Sequence, residues 1–489
     1  HMLTAVITAP SFKSALDQIL KLPKAIVCLE LRLDYLSALT LHDFKTLQSN
    51  TKRPILLTLR TQSQGGQFQG SVTDYQQRLM SYAQWGADYL DVESHLADSW
   101  IAELQLYDPS LKIIRSVHFL NHTPQNLSEK LEQIYHPKAY GYKLISYANT
   151  LFDSINMMTF LKAHAHHPCL SLHCMGELGH FSRIIGKILG NYFTYISSSQ
   201  STAPGILTYE EALSIYRLQK TDQRTHVYAL LGNPINHSMG HKTHNDYFSE
   251  AKINAVYLKI PLDQACFLAF MKAIQPLPFK GFSLTMPLKK ICARYYPHPY
   301  HAANTLTQNQ HHQWASENTD GIGLCQTLHA QGIIIKQTKI LLIGAGGAAY
   351  GIAHALKDEG AQITIMNRTR VTAQCLAQKI GGQIFIKTLK EPFSLIINTA
   401  PKLEDSLYQA LKDSIDQSDQ KPILMDICYQ SPVPELTQLA QIYGCDQISG
   451  KAMFIYQAMA QQTLWAPPLC YNLRHTFNQT KRLNEDSNR

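Results

Sequence analysis

The first 215 residues alternate short β-rich runs with amphipathic helical runs, and this alternation limits the folds open to the chain. The β-rich runs read LTAVIT, AIVCLELRLD, PILLTLRT, DYLDVES, KIIRSVHF, YKLISYA, CLSLHCM and YFTYIS. Stretches such as FKSALDQILKL and YEEALSIYRL, which follow strands, are predicted to be helices. Repeated βα units form parallel strands covered by helices, and eight such units close into a barrel. The sequence therefore predicts an α/β protein whose residues 2–215 form a (β/α)8 TIM barrel, with a site at the carboxyl ends of the strands.

Several charged residues stand late in these predicted strands. Glu30 and Arg32 are two positions apart and so share a face of one strand, whereas Arg60, His118 and Lys143 come from three others. A lysine in an apolar strand is either paired or has a lowered pKa, and a lowered pKa makes its amine nucleophilic toward ketones. Lys143 is thus a candidate Schiff-base residue, or else a lysine that only pairs with Glu30. Arginines at one barrel mouth indicate an anionic ligand, most simply a carboxylate.

Motifs in this half resemble the type I 3-dehydroquinate dehydratases in order and spacing. They are ELRLD with Glu30 and Arg32, TLRTQSQGG with Arg60, SVHFLNHTP with His118, GYKLIS with Lys143, MGELGHFSR with Arg183 and STAPG with Thr202. The resemblance implies that Lys143 forms an imine with the ketone and that His118 is the acid and base. It also implies a set of substrate-binding residues: Glu30, Arg32, Arg60, Arg183 and Thr202.

Three positions depart from the pattern of that family. Gln64 stands where a glutamate is usual, Thr202 replaces a serine, and Ile206 replaces a substrate-binding glutamine. Because the lysine and the histidine are both present, we expect dehydratase activity with altered substrate affinity.

A glycine-rich turn marks a second site after the polar linker at 216–225. The stretch KILLIGAGGAAYGIAHALKDEGAQITIMNRTR reads as strand, turn, helix and strand. Gly344 and Gly346 allow a tight turn and the approach of a pyrophosphate to the helix N-terminus. The next strand ends in Asn367 and Arg368 instead of an acid, and a guanidinium there suits the 2'-phosphate of NADP. A solvent-facing strand-end arginine is the alternative interpretation of Arg368.

Motifs from about residue 226 to 470 resemble the shikimate dehydrogenases. They are GNPINHS with Ser238, GFSLTMPLKK with Thr285 and Lys289, AANTL with Asn304, ENTDGIG with Asp320, DICYQ with Tyr429, and SGKAMFIYQA with Gly450 and Gln457. The resemblance implies a catalytic dyad of Lys289 and Asp320 at the hydroxyl that is oxidised. It implies substrate binding by Ser238, Thr285, Asn304, Tyr429 and Gln457. It implies cofactor binding by Gly344, Ala345, Gly346, Gly347, Ala348, Asn367, Arg368, Thr369 and Gly450. Without this resemblance, the sequence around Lys289 would indicate a solvated surface lysine.

This half also departs from its family. Gly240 stands where a second serine is usual after Ser238, so we expect the substrate carboxylate to depend more on Ser238 and Tyr429. Thr372 occupies the later basic position of the NRTxxR clamp, with Arg370 nearby as a substitute. We therefore expect a weaker preference for NADP than is usual.

The motifs together predict the domain order and the function. We expect a barrel at 2–215, a linker at 216–225, a substrate-binding lobe at 226–325 with a C-terminal helix at 451–470, a Rossmann lobe at 326–450 and a mobile tail at 471–489. The expected protein is a bifunctional shikimate-pathway enzyme that dehydrates 3-dehydroquinate and reduces 3-dehydroshikimate to shikimate with NADPH. The alternatives are a quinate/shikimate dehydrogenase with altered preference and a non-catalytic, ligand-sensing regulatory homologue.

Charge and composition narrow the partners. Lys and Arg number 44 against 36 Asp and Glu, a formal charge of +8, but the basic residues are scattered apart from the tail. We expect small carboxylate substrates rather than nucleic acid. No apolar run suits a membrane span or a signal peptide, so we expect a cytoplasmic protein. The histidines and cysteines of 164–174 do not have the spacing of a closed zinc site, and we expect no metal.

Overall fold

A computed structural model describes residues 2–36, 38–167, 169–197, 205–386, 392–416, 418, 420–429 and 434–465. The predicted substrate residue Thr202 and the predicted tail at 471–489 lie outside the described residues. The chain divides into two compact units. One comprises His1–Val227, Asn254–Leu258 and Ala269–Phe279, and the other comprises Tyr228–Ile253, Lys259–Leu268 and Lys280–Arg489.

The first unit contains the eight predicted strands and a short ninth one. They are β1 Met2–Ile7, β2 Cys28–Arg32, β3 Ile55–Thr58, β4 Tyr89–Glu93, β5 Lys112–His118, β6 Gly141–Tyr147, β7 Leu170–Met175, β8 Phe193–Ser197 and β9 Leu207–Thr208. The helices between them are α1 Phe12–Leu20, α2 Leu41–Ser49, α3 Val72–Ala83, α4 Ser99–Tyr107, α5 Leu127–Ile134, α6 Leu151–Ala163 and α7 His180–Leu189. This alternation confirms the predicted barrel architecture.

The strands are parallel and follow the order β7-β6-β5-β4-β3-β2-β1-β8-β9, which is the order around a barrel. The ladder is interrupted between β7 and β8. There the Tyr192 amide donates to the Leu170 carbonyl at 2.9 Å, and the Phe193 amide donates to Ser171 Oγ at 3.0 Å. These two bonds bring the ends of the curled sheet together.

Local sequence explains where several barrel helices begin. Capping boxes precede α2, α3 and α6, in which a Thr or Ser at the N-cap and an Asp three residues on satisfy each other's backbone amides. One expectation was wrong in detail. The stretch YEEALSIYRL, predicted as an ordinary α-helix, instead forms a π-helix at Glu210–Ile215. A π-helix has wider turns than an α-helix, and the spacing of apolar residues in the sequence does not distinguish the two.

An apolar layer fills one level of the barrel and a polar layer lies beside it. The apolar layer consists of Val6, Cys28, Leu56, Tyr89, Ile114, Cys169, Phe193 and Tyr195. The strand register places Glu93, Ser116, Lys143 and Ser171 side by side across β4 to β7. Neighbouring strands thus bring polar side chains together at one level.

Two further sheets follow along the chain. The first has strands β10 His226–Gly232, β11 Ala255–Pro261, β12 Phe279–Leu284, β13 Thr305–Gln308 and β14 Trp314–Glu317, in the order β11-β10-β12-β13-β14. Its helices are α8 Gly240–Glu250, α9 Phe267–Ala273, α10 Leu288–Tyr295 and α11 Asp320–Ala330. The last two strands pair antiparallel, as expected for a hairpin.

The last sheet is a parallel Rossmann sheet. Its strands are β15 Lys339–Ile343, β16 Gln362–Met366, β17 Gln383–Ile384, β18 Leu395–Asn398, β19 Ile423–Asp426 and β20 Gln447–Ser449. Its helices are α12 Gly347–Asp358, α13 Arg370–Ile380, α14 Asp405–Asp416, α15 Pro434–Tyr443 and α16 Gly450–Trp465. The order β17-β16-β15-β18-β19-β20 reverses direction beside β15, and such a switch point is where doubly wound sheets bind ligands.

Helix α16 packs along α11 and ends against the five-stranded sheet. The Trp465 ring lies 5.0 Å from that of Tyr228, and Trp465 Nε1 donates to the Leu306 carbonyl at 3.1 Å. Within the described part of the chain, no helix is both long and apolar enough to cross a membrane.

Candidate active sites

Lys143 is held inside the barrel by carboxylates and an aromatic ring. Its Nζ donates to Glu30 Oε1 at 2.8 Å and lies 3.5 Å from Asp91 Oδ2. The same atom stands 4.1 Å from the centroid of the Tyr195 ring. Lys143 and Glu30 are 4% and 3% exposed, so this lysine is neither a surface residue nor an unpaired one. A buried charge requires such partners.

Arg60 lies at the centre of a buried network in the same barrel. Its guanidinium donates to Asp91 at 2.8 Å, to Glu93 at 3.0 Å and to Ser116 Oγ at 2.9 Å. Although burial disfavours its charge, these carboxylates hold the pKa of Arg60 above its ordinary value. Burial also opposes the charge of Asp91, but Arg60 and Lys143 lower the pKa of Asp91. The network keeps both carboxylates ionised next to the lysine.

The three predicted substrate arginines differ in their partners. Arg32 forms a two-point contact with Asp34, at 2.8 and 2.7 Å, and Arg60 binds the carboxylates described above. Arg183 is buried, and no described residue accepts a hydrogen bond from its Nε. Burial lowers the pKa of Arg183 to about 10. Of these arginines, Arg183 has the strongest need of an anionic partner.

His118 ends β5, and its environment disfavours the charged imidazolium form. Burial, followed by the charges of Arg60 and Lys143, holds its pKa well below the ordinary value of 6.5. Its Nδ1 is buried and has no hydrogen-bond partner among the described residues. Gln64, which departs from the family pattern, accepts a hydrogen bond from the backbone amide of His118 at 2.6 Å. A neutral imidazole close to a lysine can act as a base.

Sequence inspection missed Asp91, Glu93 and Ser116. The signal was present in DYLDVES, because Asp91 and Glu93 are two apart in a strand that is buried at every position. Two carboxylates on one face of a buried strand require cations, and Arg60 and Lys143 are those cations.

His173 and Cys174 stand near each other in sequence and have different surroundings. The His173 ring lies 5.8 Å from that of Tyr195, whereas Cys174 Sγ lies 3.3 Å from Ser146 Oγ. Among the described residues, no group of three His, Cys, Asp or Glu side chains is placed to hold a metal ion.

Lys289 and Asp320 form an ion pair in the second unit. Lys289 Nζ donates to Asp320 Oδ2 at 2.6 Å. The lysine side chain is 15% exposed, whereas that of Asp320 is 3% exposed. A lysine with one protected partner and one open side can transfer a proton to a ligand.

Asn304 connects this pair to the other predicted substrate residues. Its Nδ2 donates to Asp320 Oδ1 at 3.0 Å and to Gln457 Oε1 at 3.1 Å. Its Oδ1 accepts from the Thr319 amide at 2.8 Å. The structure therefore brings together four residues that stand far apart in the sequence: Lys289, Asn304, Asp320 and Gln457.

The glycine turn opens onto a cavity of about 640 Å³. Gly344 has φ +108°, and a Cβ there would lie 2.3 Å from Thr399 Oγ1. A Cβ on Gly346 would meet nothing within 4 Å, which leaves its backbone open to a ligand. A Cβ on Gly347 would lie 2.6 Å from Lys289 Cβ, so this glycine lets the turn approach the dyad. Lys290 Nζ donates to the Ala345 carbonyl at 3.0 Å.

The remaining predicted cofactor residues lie around the same cavity, with one exception. Lining residues include Gly344, Ala345, Gly346, Gly347, Ala348, Asn367, Arg368 and Thr369, together with Lys289 and Thr285. Gly450 instead begins α16, where a Cβ would lie 2.5 Å from the Asp426 carbonyl. The turn lies at the N-terminus of α12, whose first amides attract a pyrophosphate. The residues present fit a bound dinucleotide.

Ser238 and Tyr429 are linked by Met239, which follows Ser238 in the chain and whose backbone is hydrogen-bonded to Tyr429. Burial raises the pKa of Tyr429 to about 12, against the lowering effect of a hydrogen bond with the Met239 backbone. The Tyr429 ring also packs on Phe454, with centroids 4.7 Å apart. Ser238 Oγ accepts from the Gly240 amide at 3.2 Å. The two predicted carboxylate ligands thus lie on adjoining segments.

Comparisons with known families cover both units. Residues 3–223 match the family described as type I 3-dehydroquinase. Residues 230–307 match the shikimate dehydrogenase substrate binding domain, and residues 328–429 match shikimate / quinate 5-dehydrogenase. The matches follow the order of the motifs along the chain.

Curated relatives contain both parts in one chain. The shikimate biosynthesis protein AroDE of Chlamydia pneumoniae is 32% identical over 482 residues, which is 95% of each chain. The chloroplastic bifunctional 3-dehydroquinate dehydratase/shikimate dehydrogenase of Arabidopsis thaliana is 28% identical over 468 residues, 88% of this chain and 76% of that one. The shikimate dehydrogenase (NADP(+)) of Alkaliphilus oremlandii is 32% identical over 286 residues, 53% of this chain and 98% of that one. With both sites built and both parts matched over nearly the whole length, this chain belongs to the family of bifunctional 3-dehydroquinate dehydratase/shikimate dehydrogenases of the shikimate pathway.

Proposed function

We propose that the barrel dehydrates 3-dehydroquinate through a Schiff base on Lys143. The observation that carries this proposal is the buried contact of Lys143 Nζ with Glu30 at 2.8 Å, beside a histidine kept neutral. In this arrangement Glu30 is the nearest acceptor for the proton that the ammonium loses before it attacks the ketone. The resulting imine withdraws electrons from the adjacent carbon and makes its proton removable.

His118 then removes that proton and returns it to the departing hydroxyl, which leaves as water. Its low pKa favours the unprotonated form that the first of these steps needs. Hydrolysis of the imine releases 3-dehydroshikimate and restores Lys143. We assign the carboxylate of the substrate to Arg183, because this buried guanidinium has an Nε without a described partner. Arg32 and Arg60 stay as proposed substrate residues, and so does Thr202, which lies outside the described residues.

Trapping of the imine tests this mechanism. Borohydride added during turnover of 3-dehydroquinate should reduce the imine and attach the product to one residue, Lys143. Peptide mass spectrometry locates the added mass. An adduct on another lysine, or no adduct while dehydration proceeds, contradicts the assignment.

We propose that the second unit reduces 3-dehydroshikimate with NADPH as the hydride donor. Lys289, held by Asp320 at 2.6 Å, protonates the oxygen of the carbonyl that is reduced. Asn304 and Gln457 bind ring hydroxyls, and Ser238, Thr285 and Tyr429 bind the rest of the substrate, including its carboxylate. The name of the Alkaliphilus relative and the guanidinium of Arg368 at the cavity support NADP over NAD.

We also propose that the two activities are independent, with a boundary in the linker at 216–225. The end of the first family match at residue 223 and the start of the next at residue 230 support this boundary. Separate assays of dehydration and of NADPH oxidation on single-site variants test it, since loss of both activities from one site would contradict it. The alternative function, a dehydrogenase that prefers quinate, is tested by supplying quinate in place of shikimate in the reverse, oxidative reaction.

A further inference from the structure

A carboxylate faces the predicted 2'-phosphate ligand. Arg368 Nη1 lies 2.9 Å from Glu404 Oε1, and both residues line the cavity of the glycine turn. Arg368 follows β16, and Glu404 precedes α14, so the pair joins the ends of two neighbouring loops. Their side chains are 71% and 41% exposed, which leaves them open to a ligand.

The residues next to Arg368 in the predicted clamp add little positive charge to the lining of the cavity. Arg370, the predicted substitute for the missing basic residue, is exposed and is not among the lining residues. Asn367 Nδ2 is occupied by the Thr369 carbonyl at 3.0 Å and by Thr372 Oγ1 at 2.6 Å. Thr372 is neutral and stands where the clamp of the family has a basic residue. The other cations among the described residues that line the cavity are Lys402 and two lysines near the glycine turn, Lys289 and Lys290, which bind Asp320 and the Ala345 carbonyl. Arg368 is therefore the main candidate among these cations for binding the 2'-phosphate.

We infer that Glu404 sets the cofactor preference by competing with the 2'-phosphate for Arg368. This inference rests on the proposed use of NADP. A phosphate monoester carries a charge of about −1.5 to −2 near neutral pH, so it must displace Glu404 from Arg368 or lie beside a like charge. A ribose 2'-hydroxyl is neutral and can donate to the same carboxylate. Glu404 thus weakens NADP binding and leaves NAD binding unaffected or slightly favoured.

The effect of Glu404 on phosphate binding should be moderate, because the ion pair between Arg368 and Glu404 is exposed to solvent. Exposed ion pairs contribute little, and salt screens them, so removal of the carboxylate should strengthen phosphate binding by about two- to fivefold at low salt. The effect should shrink as salt is raised, since the competition is electrostatic.

Direct binding to the full-length protein tests the inference without turnover. The probes are 2',5'-ADP, which carries the 2'-phosphate, and 5'-ADP, which lacks it; calorimetry gives both dissociation constants. We expect Glu404→Gln to bind 2',5'-ADP about two- to fivefold more tightly and 5'-ADP with unchanged or slightly lower affinity. The matched control is Asp405→Asn, the next residue along, which is exposed and does not line the cavity. It should change neither constant.

A second variant separates competition from any general effect on the loop. In an Arg368→Ala background, Glu404→Gln should strengthen 2',5'-ADP binding much less, because no guanidinium remains for the two anions to compete for. Unchanged or weaker 2',5'-ADP binding in Glu404→Gln overturns the inference, since weaker binding means that Glu404 holds Arg368 in position for the phosphate. If the unmodified protein binds neither probe, the proposed dinucleotide site itself fails, and that result differs from the failure of Glu404 alone.

Discussion

Lys143 Nζ lies 2.8 Å from Glu30 Oε1, and both side chains are buried at the polar level of the barrel. The proposed nucleophile is thus held next to a carboxylate that can take its proton. The pair also has a structural role, because removal of either partner leaves the other charge buried.

Substitution of Lys143 should separate the two activities. Lys143→Ala should abolish dehydration of 3-dehydroquinate, since no amine remains to form the imine, and leave reduction of 3-dehydroshikimate within about twofold of its original rate. Separate assays measure the two steps. Glu30→Gln keeps the amine and serves as the comparison, with slower imine formation but a detectable borohydride adduct. Dehydration that survives in Lys143→Ala would contradict the Schiff-base mechanism.

The pH profile of dehydration should reflect the low pKa of His118. Because burial and the charges of Arg60 and Lys143 hold this pKa well below 6.5, the base form persists as the pH falls, and kcat/KM should not decline through the usual histidine range. Gln64→Glu places a negative charge at a side chain that contacts the His118 amide, and this charge should favour the imidazolium. The acid limb of Gln64→Glu should therefore move to higher pH. A limb near pH 6.5 in the unmodified protein would contradict the assignment.

Loss of the dyad should affect only the second activity. Lys289→Met removes the proton donor and should lower kcat for 3-dehydroshikimate by about 100-fold or more, a common magnitude for loss of a general acid. Asp320→Asn keeps a side chain of similar size and should retain more activity, with its pH optimum shifted. The dehydratase rate of the same preparation is the internal control, and a matching fall in that rate would indicate misfolding instead.

The fold could be predicted from the sequence more completely than the buried polar networks could. Strand periodicity and the glycine turn depend on neighbours along the chain, so the barrel strands and the Rossmann order could be predicted. The partners of Arg60 come from β4 and β5, and those of Asn304 come from segments up to 157 residues away. Arg60 was therefore predicted as a substrate ligand without its buried carboxylates. The Arg368 to Glu404 contact was missed for the same reason.

Two glycines of the same turn should respond differently to alanine. Gly346→Ala adds a methyl group to open space, so the free energy of unfolding should change by ~1 kcal/mol or less, the magnitude of an unfavourable helix cap. Its 5'-ADP affinity should fall, because the methyl group occupies the approach of the pyrophosphate. Gly344→Ala should destabilise the protein, since φ is +108° and the methyl group meets Thr399. Equal effects on stability and binding in both variants would argue against the proposed cradle.

His244 should make the second unit less stable in acid. Burial lowers its pKa from 6.5 to about 3, so between these values the unfolded chain binds a proton that the folded chain does not. More protons bound in the unfolded state mean that stability falls as pH falls, by about 1.4 kcal/mol per pH unit below 6.5 for this one group. The His244 and Trp465 rings lie 5.3 Å apart, so the fluorescence of Trp465 can follow this unfolding.

Denaturant titrations at pH 7, 6 and 5 should show how steeply the free energy of unfolding falls with pH. His244→Gln should reduce this slope, whereas His311→Gln, at an exposed hairpin position, should leave it unchanged. An equal slope in His244→Gln and the unmodified protein would contradict the assignment of this acid sensitivity to His244.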